Sequence, residues 1–161
     1  MTDLILKPIG VIHSPFREAS NTPIQGVLTR GPEGEVEIFP EFATGLRDLE
    51  GFERIWLVFW FHRAKPAKLV VTPYLDNQEH GVFATRAPSR PNPVGLSCVR
   101  LLRIEGNRLH IADLDVLDET PLLDLKPYVP AFDCFPESRI GWLQNKTDQT
   151  ISADDRFEAK G

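Results

Sequence analysis

The chain has 161 residues and a formal net charge of −5, and its 42% hydrophobic and 25% charged residues are typical of one globular domain. This balance excludes disordered, collagen-like and coiled-coil chains. No apolar run reaches the roughly 18 residues of a membrane span, and no signal peptide is visible. Cys98 and Cys134 belong to no close Cys/His cluster, which predicts a cytoplasmic protein without a disulfide framework or a metal.

The N-terminal half predicts short strands separated by turns, because 14 prolines and 11 glycines do not suit long helices. Strands are expected at 6–12, 27–30 and 36–39. A short helix is predicted over 40–52, where Phe42, Leu46 and Leu49 recur at helical spacing. The apolar run 55–61 predicts a strand that is covered on both faces, with a helix or a partner subunit as the second cover.

The C-terminal half continues the pattern of short strands. Strands are predicted at 68–72, 81–85, 96–104, 109–117 and 122–125. The turn signal Glu105-Gly106-Asn107 joins the third and fourth of these into a hairpin. Because long helices do not alternate with the strands, a mainly β domain is expected, either an antiparallel barrel or a sandwich. The polar tail that follows is either frayed or packed on a neighbour through Ile140 and Trp142.

The loop 84–97 is denser in glycine, proline and polar residues than a plain core requires. It carries Arg86, Arg90 and Asn92 on a backbone that prolines stiffen, which lowers the entropy cost of holding these side chains ready. Arginine suits phosphate or carboxylate recognition. The alternative is a proline-rich turn with solvated arginines. We predict that Arg86 and Arg90 are functional, since neither lies in an apolar periodic stretch.

A run of acidic residues offers a second candidate site. Asp113, Asp115, Asp118 and Asp124 lie close in sequence to Lys126. Carboxylates on one strand face form an acid/base pair or a metal site, or they are simply a solvated face with a surface ion pair. A metal site favours a nearby histidine or an oxygen-rich loop, and neither is evident in the sequence.

His62 directly follows the apolar strand 55–61, where it is either a base, a hydrogen-bond partner of an adenine, or a structural residue. The glycine-rich phosphate loops G-x-G-x-x-G and G-x-x-x-x-G-K-[ST] are absent from the sequence, and so is the nucleophile elbow G-x-S-x-G. Cys98 has no neighbouring histidine. A hydrolase triad is therefore poorly supported.

Several short blocks, in a fixed order, are more specific than any single motif. They are Ile9-Gly10 with Ser14-Pro15-Phe16; Pro23 and Gln25; Leu49-Glu50-Gly51-Phe52 with Trp56 and Phe61-His62; Gly81-Val82-Phe83-Ala84-Thr85-Arg86 with Arg90-Pro91-Asn92-Pro93-Val94-Gly95-Leu96-Ser97; and Asp115, Asp118 and Thr120-Pro121 with Asp124-Leu125-Lys126-Pro127-Tyr128. In these blocks the chain resembles the YaeB/TsaA-like family, the TrmO-type tRNA methyltransferases.

The resemblance implies a single antiparallel β-barrel of about seven strands over residues 5–135, with one short helix and peripheral loops. It also implies a homodimer that binds S-adenosylmethionine and methylates N6 of threonylcarbamoyladenosine beside the tRNA anticodon. Residues 136–161 would form a C-terminal extension, either flexible or packed on the dimer partner. Some family members carry an additional domain after the barrel.

The resemblance also implies the site residues. The cofactor is expected to lie along Ile24, Gln25, Gly26, Phe61, His62, Arg86, Leu96, Ile111, Ala112, Asp113 and Leu114. The aromatic face of Phe61 favours the sulfonium cation, and Arg86 suits the cofactor's carboxylate. Asp118 or His62 would take the proton of the acceptor nitrogen, and Arg90 and Asn92 complete the predicted catalytic set.

The RNA substrate has two rivals. The net charge of −5 opposes RNA binding, because phosphate contacts supply much of RNA affinity. One alternative is a methyltransferase on a small molecule or a protein, whose binding would not weaken steeply with salt. The other is a non-enzymatic module that senses S-adenosylmethionine and yields no S-adenosylhomocysteine with any RNA.

Overall fold

The computed structural model describes residues 2–24, 31–147 and 153–159. The described chain forms the strands β1 (Gly10–His13), β2 (Gly34–Ile38), β3 (Arg54–Trp60), β4 (Val70–Val71), β5 (His80–Gly81), β6 (Val94–Glu105), β7 (Arg108–Ala112) and β8 (Thr120–Pro127). Six of them close an antiparallel barrel in the order β1-β2-β7-β6-β3-β8, and β4 and β5 form a separate two-stranded sheet. The predicted barrel is confirmed, with six strands instead of about seven.

Two sequence predictions lie outside the described residues, namely the strand at 27–30 and the cofactor residues Gln25 and Gly26. Other strand limits differ. β1 begins at Gly10 rather than at residue 6, and β7 ends at Ala112 because Asp113 has left-handed backbone angles (φ 65°). β8 is longer than predicted because it pairs with both β1 and β3.

The single helix predicted over 40–52 is wrong. This segment forms two 3-10 helices, Pro40–Leu46 and Leu49–Gly51, separated by Asp48 in the left-handed region (φ 67°). Aspartate tolerates this conformation, which a helix interior cannot contain. The short α-helix of the described chain is α1 (Pro130–Asp133), after the barrel. Further 3-10 turns are Ala19–Asn21, Val82–Ala84, Gly141–Leu143 and Asp155–Phe157. None of the helices in the described ranges is long and apolar enough to cross a membrane.

The hydrophobic core fills the barrel, and alternate side chains of β3 point into it. Ile55, Leu57 and Phe59 alternate inward and are buried, as a period of two requires. On the outer face, Trp56 packs edge-on against Tyr128 and donates from Nε1 to an Asp133 carboxylate oxygen of α1 at 3.3 Å.

Trp60, at the other end of this outer face, remains 45% exposed. The described part of the chain therefore provides only part of the second cover that the apolar sequence of β3 predicts.

A second, smaller apolar cluster lies outside the barrel. It combines Val71, Val82 and Ala87 with Phe157 from the C-terminal segment, and Tyr74 packs against it. Phe157 and Tyr74 meet edge to face with ring centroids 5.3 Å apart. The described part of the C-terminal extension is thus packed on the domain rather than separate from it.

Candidate functional site

A cavity of about 760 Å³ lies beside the end of β3 and the start of β6. Its volume falls within the range of about 300–1,000 Å³ that is typical of small-molecule and cofactor sites. The strands contribute Phe59, Gly95 and Ser97, and the loop after β7 contributes the stretch from Asp115 to Leu117. Most of the lining is apolar, with a few polar groups that point to specific recognition.

Two phenylalanines form an aromatic wall of the cavity. The rings of Phe59 and Phe61 meet edge to face, with centroids 5.2 Å apart and an angle of 83° between planes. Gly95 makes this arrangement possible, because a Cβ there would overlap the Phe59 ring and lie 2.8 Å from Cζ of Phe61. The glycine in the predicted 84–97 stretch therefore serves close packing.

Ser97 and Asp115 form one polar part of the cavity wall. The Ser97 hydroxyl donates to a carboxylate oxygen of Asp115 at 2.5 Å. The loop that carries Asp115 leaves β7 at Asp113 and reaches β8 after Glu119, and both of these residues have positive φ. The sequence placed Asp115 in the acidic run but did not select it for the cofactor site, because strand spacing does not reveal this turn.

His62 lines the same cavity, and its environment favours the neutral imidazole. Partial burial, followed by the charge of Arg63, lowers the pKa of His62 from its usual value. The backbone N–H of His62 donates to the carbonyl of Trp60 at 2.8 Å, which holds the residue at the end of β3. A neutral imidazole has a free lone pair, so it is able to accept a proton at neutral pH.

Arg90 lines the cavity and also stabilises the loop on which it lies. Its guanidinium donates to the carbonyls of Thr85 and Ala87, at 3.1 and 3.2 Å. The Thr85 hydroxyl donates to the carbonyl of Val82 at 2.9 Å, closing the start of the loop. Arg90 thus has a positioning role that the sequence did not predict, and a direct role in catalysis stays a prediction.

The structure brings together about half of the predicted site residues. Those that line the cavity are Ile24, Phe61, His62, Arg86, Arg90 and Leu96. Those that lie outside its lining are Asn92, Ile111, Ala112, Asp113, Leu114 and Asp118. Ile111 and Leu114 are fully buried in the barrel core, and Asn92 is exposed. A role for these six residues at the cofactor or in catalysis stays a prediction.

Asp118 belongs to a different cluster from the cavity. Its carboxylate accepts the backbone N–H of Ser14 at 2.9 Å, and His13 Nδ1 lies 3.9 Å from the same oxygen. His13, Asp118 and Glu119 place potential metal-ligating atoms within 4.8 Å of one another. The His13 imidazole contacts Glu119 at 3.2 Å and Glu37 at 3.3 Å, so it already has two carboxylate partners. The predicted lack of a metal stays a prediction.

The C-terminal segment also lines the cavity, which the site predictions did not include. It contributes Trp142, Leu143, Thr147, Ala153, Phe157 and Glu158. In the sequence, Ile140 and Trp142 stand out in a mostly polar tail. They indicated that the tail packs against another surface, but they did not identify that surface.

The described chain is thus a closed six-stranded antiparallel β-barrel with an aromatic-walled cavity beside the end of β3 and the start of β6. The sequence profile described as the tRNA-methyltransferase O N-terminal domain matches residues 11–134. The chain therefore belongs to the TrmO N-terminal domain family.

Relatives and solved structures agree with this assignment. A probable S-adenosyl-L-methionine-binding protein of Pyrococcus abyssi is 54% identical, over 92% of this chain and 81% of the relative. The tRNA (adenine(37)-N6)-methyltransferase of Escherichia coli is 34% identical, over 90% of this chain and 66% of that protein. The crystal structure of TrmO from Pseudomonas aeruginosa matches with a TM-score of 0.74 and 39% identity, over 88% of this chain. This chain spans 63% of that structure's chain.

Ion pairs with two arginines explain how the Asp113 carboxylate is buried. Its side chain is 4% exposed and pairs with Arg54 at 3.0 Å and with Arg100 at 2.9 Å. Burial alone would raise the pKa of Asp113, but the hydrogen bonds and charges of the two arginines outweigh it, so the pKa lies below its usual value. The ionised carboxylate therefore stabilises the junction of β3, β6 and the end of β7.

We expect Asp113→Asn to lower the free energy of unfolding at pH 7 by about 1–3 kcal/mol, because two arginines lose a charged partner. Asparagine tolerates the positive φ of this position, so the backbone is preserved. A depressed folded-state pKa stabilises the fold above the ordinary aspartate value of about 3.9 and loses this effect as pH falls through the folded value. The difference between variant and parent in urea unfolding should therefore shrink at low pH.

Asp124→Asn is the matched control, since Asp124 pairs with Lys126 at an exposed position. That change should alter the unfolding free energy by less than about 1 kcal/mol. Equal effects of the two substitutions, or a pH-independent effect at position 113, would contradict the structural role of the Asp113 pair.

Proposed function

We propose that this protein is an S-adenosylmethionine-dependent methyltransferase that acts on N6 of threonylcarbamoyladenosine next to the tRNA anticodon. The observation that carries the proposal is the convergence of Ile24, Phe61, His62, Arg86 and Leu96 on one cavity. These residues come from four separate parts of the sequence, and the family resemblance assigns all five to the cofactor. Membership of the TrmO N-terminal domain family and the names of its relatives support the coarser part of this reaction, S-adenosylmethionine-dependent methylation of adenine N6 in tRNA.

The cavity suits the proposed cofactor in size and chemistry. The Phe59 and Phe61 rings, packed closely against Gly95, give the cavity an aromatic wall, and an aromatic face attracts a cation. Arg86 offers a charged donor for a carboxylate, and Ser97 with Asp115 offers a polar group in an apolar wall. When bound, the cofactor supplies an electrophilic methyl group attached to a sulfonium.

His62 is the better supported of the two predicted bases. The acceptor nitrogen lies between a purine and a carbonyl and must lose its proton to become a good nucleophile. His62 lines the cavity with a lowered pKa, whereas the carboxylate of Asp118 lies outside the lining and already accepts from Ser14. The rigid wall and the loop held by Arg90 would align the reactants, which contributes much of the rate in such transfers.

An RNA substrate requires a local positive surface on an acidic chain. Arg63, Arg86 and Arg90 all line the cavity. Arg63 is held by the carbonyl of Arg17 and by an ion pair with Glu158, so its charge is partly compensated. The E. coli relative is named for action on tRNA, and this supports RNA over a small molecule or protein substrate. A cytoplasmic location would follow from that substrate.

We also propose a homodimer that covers the outer face of β3 and β6. Trp60 is paired across the sheet with Val94, and Val58 is paired with Leu96. Trp60 is an exposed apolar side chain on this face, and Val94 and Leu96, which also line the cavity, are exposed beside it. Association is a usual consequence of such an exposed apolar patch. Sedimentation at micromolar concentration should give twice the 18.2 kDa mass of one chain. A single-chain mass would contradict the dimer.

The test of the reaction uses total tRNA from cells that lack the modification. Incubation with the full chain and S-adenosylmethionine should produce the N6-methylated nucleoside, detected by nucleoside mass spectrometry. The rate should fall steeply as salt increases, because phosphate contacts are screened. Cofactor binding without any product would favour the sensor module. Methyl transfer to a non-RNA acceptor, with no dependence on salt, would favour the other alternative.

Arg86→Ala should weaken S-adenosylmethionine binding by about one to two orders of magnitude, because a charge-assisted contact contributes roughly 1.5–3 kcal/mol. Calorimetry measures the affinity, and thermal melting shows whether the fold is intact. Arg103→Ala is the control, since Arg103 pairs with Glu105 at an exposed position away from the cavity. If Arg86→Ala melts several degrees lower and keeps full affinity, then Arg86 is structural and this assignment is wrong.

A further inference from the structure

The wall of the cavity includes chain that lies beyond the family domain. The family match ends at residue 134, yet cavity-lining residues continue through 142–143, 147, 153 and 157–158. We name the described parts of this segment, residues 141–147 and 153–159, the clasp. Because the clasp lies outside residues 11–134, its contacts with the cavity are additional to those that the matched domain itself makes.

The first attachment of the clasp is centred on an aromatic pair. The Trp142 indole stacks on the imidazole of His80, with ring centroids 4.3 Å apart and an angle of 19° between planes. Its Nε1–H donates to the carbonyl of Ala84 at 2.8 Å. The indole therefore spans from the β4–β5 sheet to the 3-10 turn that precedes the Arg86 loop.

Charged groups reinforce this first attachment. Asp76 is 7% exposed, and its carboxylate contacts His80 Nε2 at 2.8 Å and Lys146 Nζ at 2.7 Å. The Lys146 ammonium also lies 5.7 Å from the centre of the Trp142 ring. Hydrogen bonds from Lys146 and then His80 hold the pKa of Asp76 well below its usual range, so the carboxylate is ionised at neutral pH.

The second attachment consists of a buried phenylalanine and backbone hydrogen bonds. Phe157 is 6% exposed within the small apolar cluster, and the backbone N–H of Lys65 donates to its carbonyl at 2.8 Å. The N–H of Ala159 donates to the carbonyl of Arg63 at 2.7 Å. Glu158 pairs with Arg63 as well. Buried apolar contacts with backbone hydrogen bonds open less readily than a ring stack and ion pairs in which His80 and Lys146 are partly exposed.

We propose that the clasp retains the cofactor in the cavity, and that Trp142 is the residue that sets the dissociation rate. Trp142 lines the cavity and is held by the more exposed of the two attachments, so release of its stack and hydrogen bond would uncover one wall while Phe157 stays anchored. This inference rests on the proposed function, in which the cavity holds S-adenosylmethionine.

The experiment measures the dissociation rate of S-adenosylmethionine from the full chain by displacement with excess S-adenosylhomocysteine. Trp142→Ala should release the cofactor about three- to tenfold faster, the range expected for loss of an aromatic contact. Asp76→Asn, which weakens the same attachment without touching the indole, should shift the rate in the same direction by a smaller factor. Phe132→Ala removes an exposed aromatic ring outside the cavity and should leave the rate unchanged.

Trypsin provides a second readout that does not depend on the rate of exchange. If the clasp retains the bound cofactor, saturating S-adenosylmethionine should slow cleavage after Lys146 in the parent protein, and Trp142→Ala should lose much of this protection. Melting temperatures of all variants show whether the fold is intact, and Asp76→Asn serves as the reporter if Trp142→Ala does not fold.

Two results would overturn the inference in different ways. If the parent protein binds no S-adenosylmethionine, the proposed function fails and the clasp fails with it. If the parent binds, but the folded Trp142→Ala and Asp76→Asn variants release the cofactor at the parent's rate without loss of protection, the clasp alone fails.

Discussion

Closure of the barrel by β8 is the constraint on which the rest of the structure depends. Leu122 lies opposite Gly10 of β1 and opposite Phe59 of β3, so one strand completes the hydrogen bonding of two neighbours. The register shifts between Val58 and Phe59, near the end of β3 where it leaves the sheet. A Cβ at Gly10 would overlap the carbonyl of Glu37, so only glycine allows the close approach of β1 and β2.

The cavity forms where β3 and β7 end, next to the strand β8 that closes the barrel. β3 continues past the register shift into Phe61 and His62, while the loop from Asp113 to Glu119 returns the chain from β7 to β8. Both segments reach the cavity because both adjoin β8: β3 pairs with this strand, and the loop leads directly into it. The Asp113 ion pairs with Arg54 and Arg100 hold the start of that loop, so a charged junction outside the cavity supports the position of the residues within it.

The sequence predicted those elements that depend on local patterns, such as short apolar runs, turn residues and prolines. The strand β3, the hairpin of β6 and β7, and a stiff loop around Arg86 were predicted from runs of apolar residues, turn residues and proline. The 40–52 helix failed because apolar spacing does not reveal that Asp48 adopts a left-handed conformation. The Trp142 wall was missed because it is formed by contacts across more than fifty residues of chain, and no local period encodes such a contact.

The electrostatics of the cavity also follow from packing rather than from overall charge. The chain is acidic, yet Arg63, Arg86 and Arg90 line the cavity, and burial together with Arg63 disfavours a protonated His62. A protonated histidine would repel a sulfonium and would have no lone pair for the acceptor's proton. In the proposed reaction the same partial burial therefore serves two purposes. It avoids a further positive charge in a cavity that three arginines already line, and it keeps the imidazole in the neutral state that a base requires.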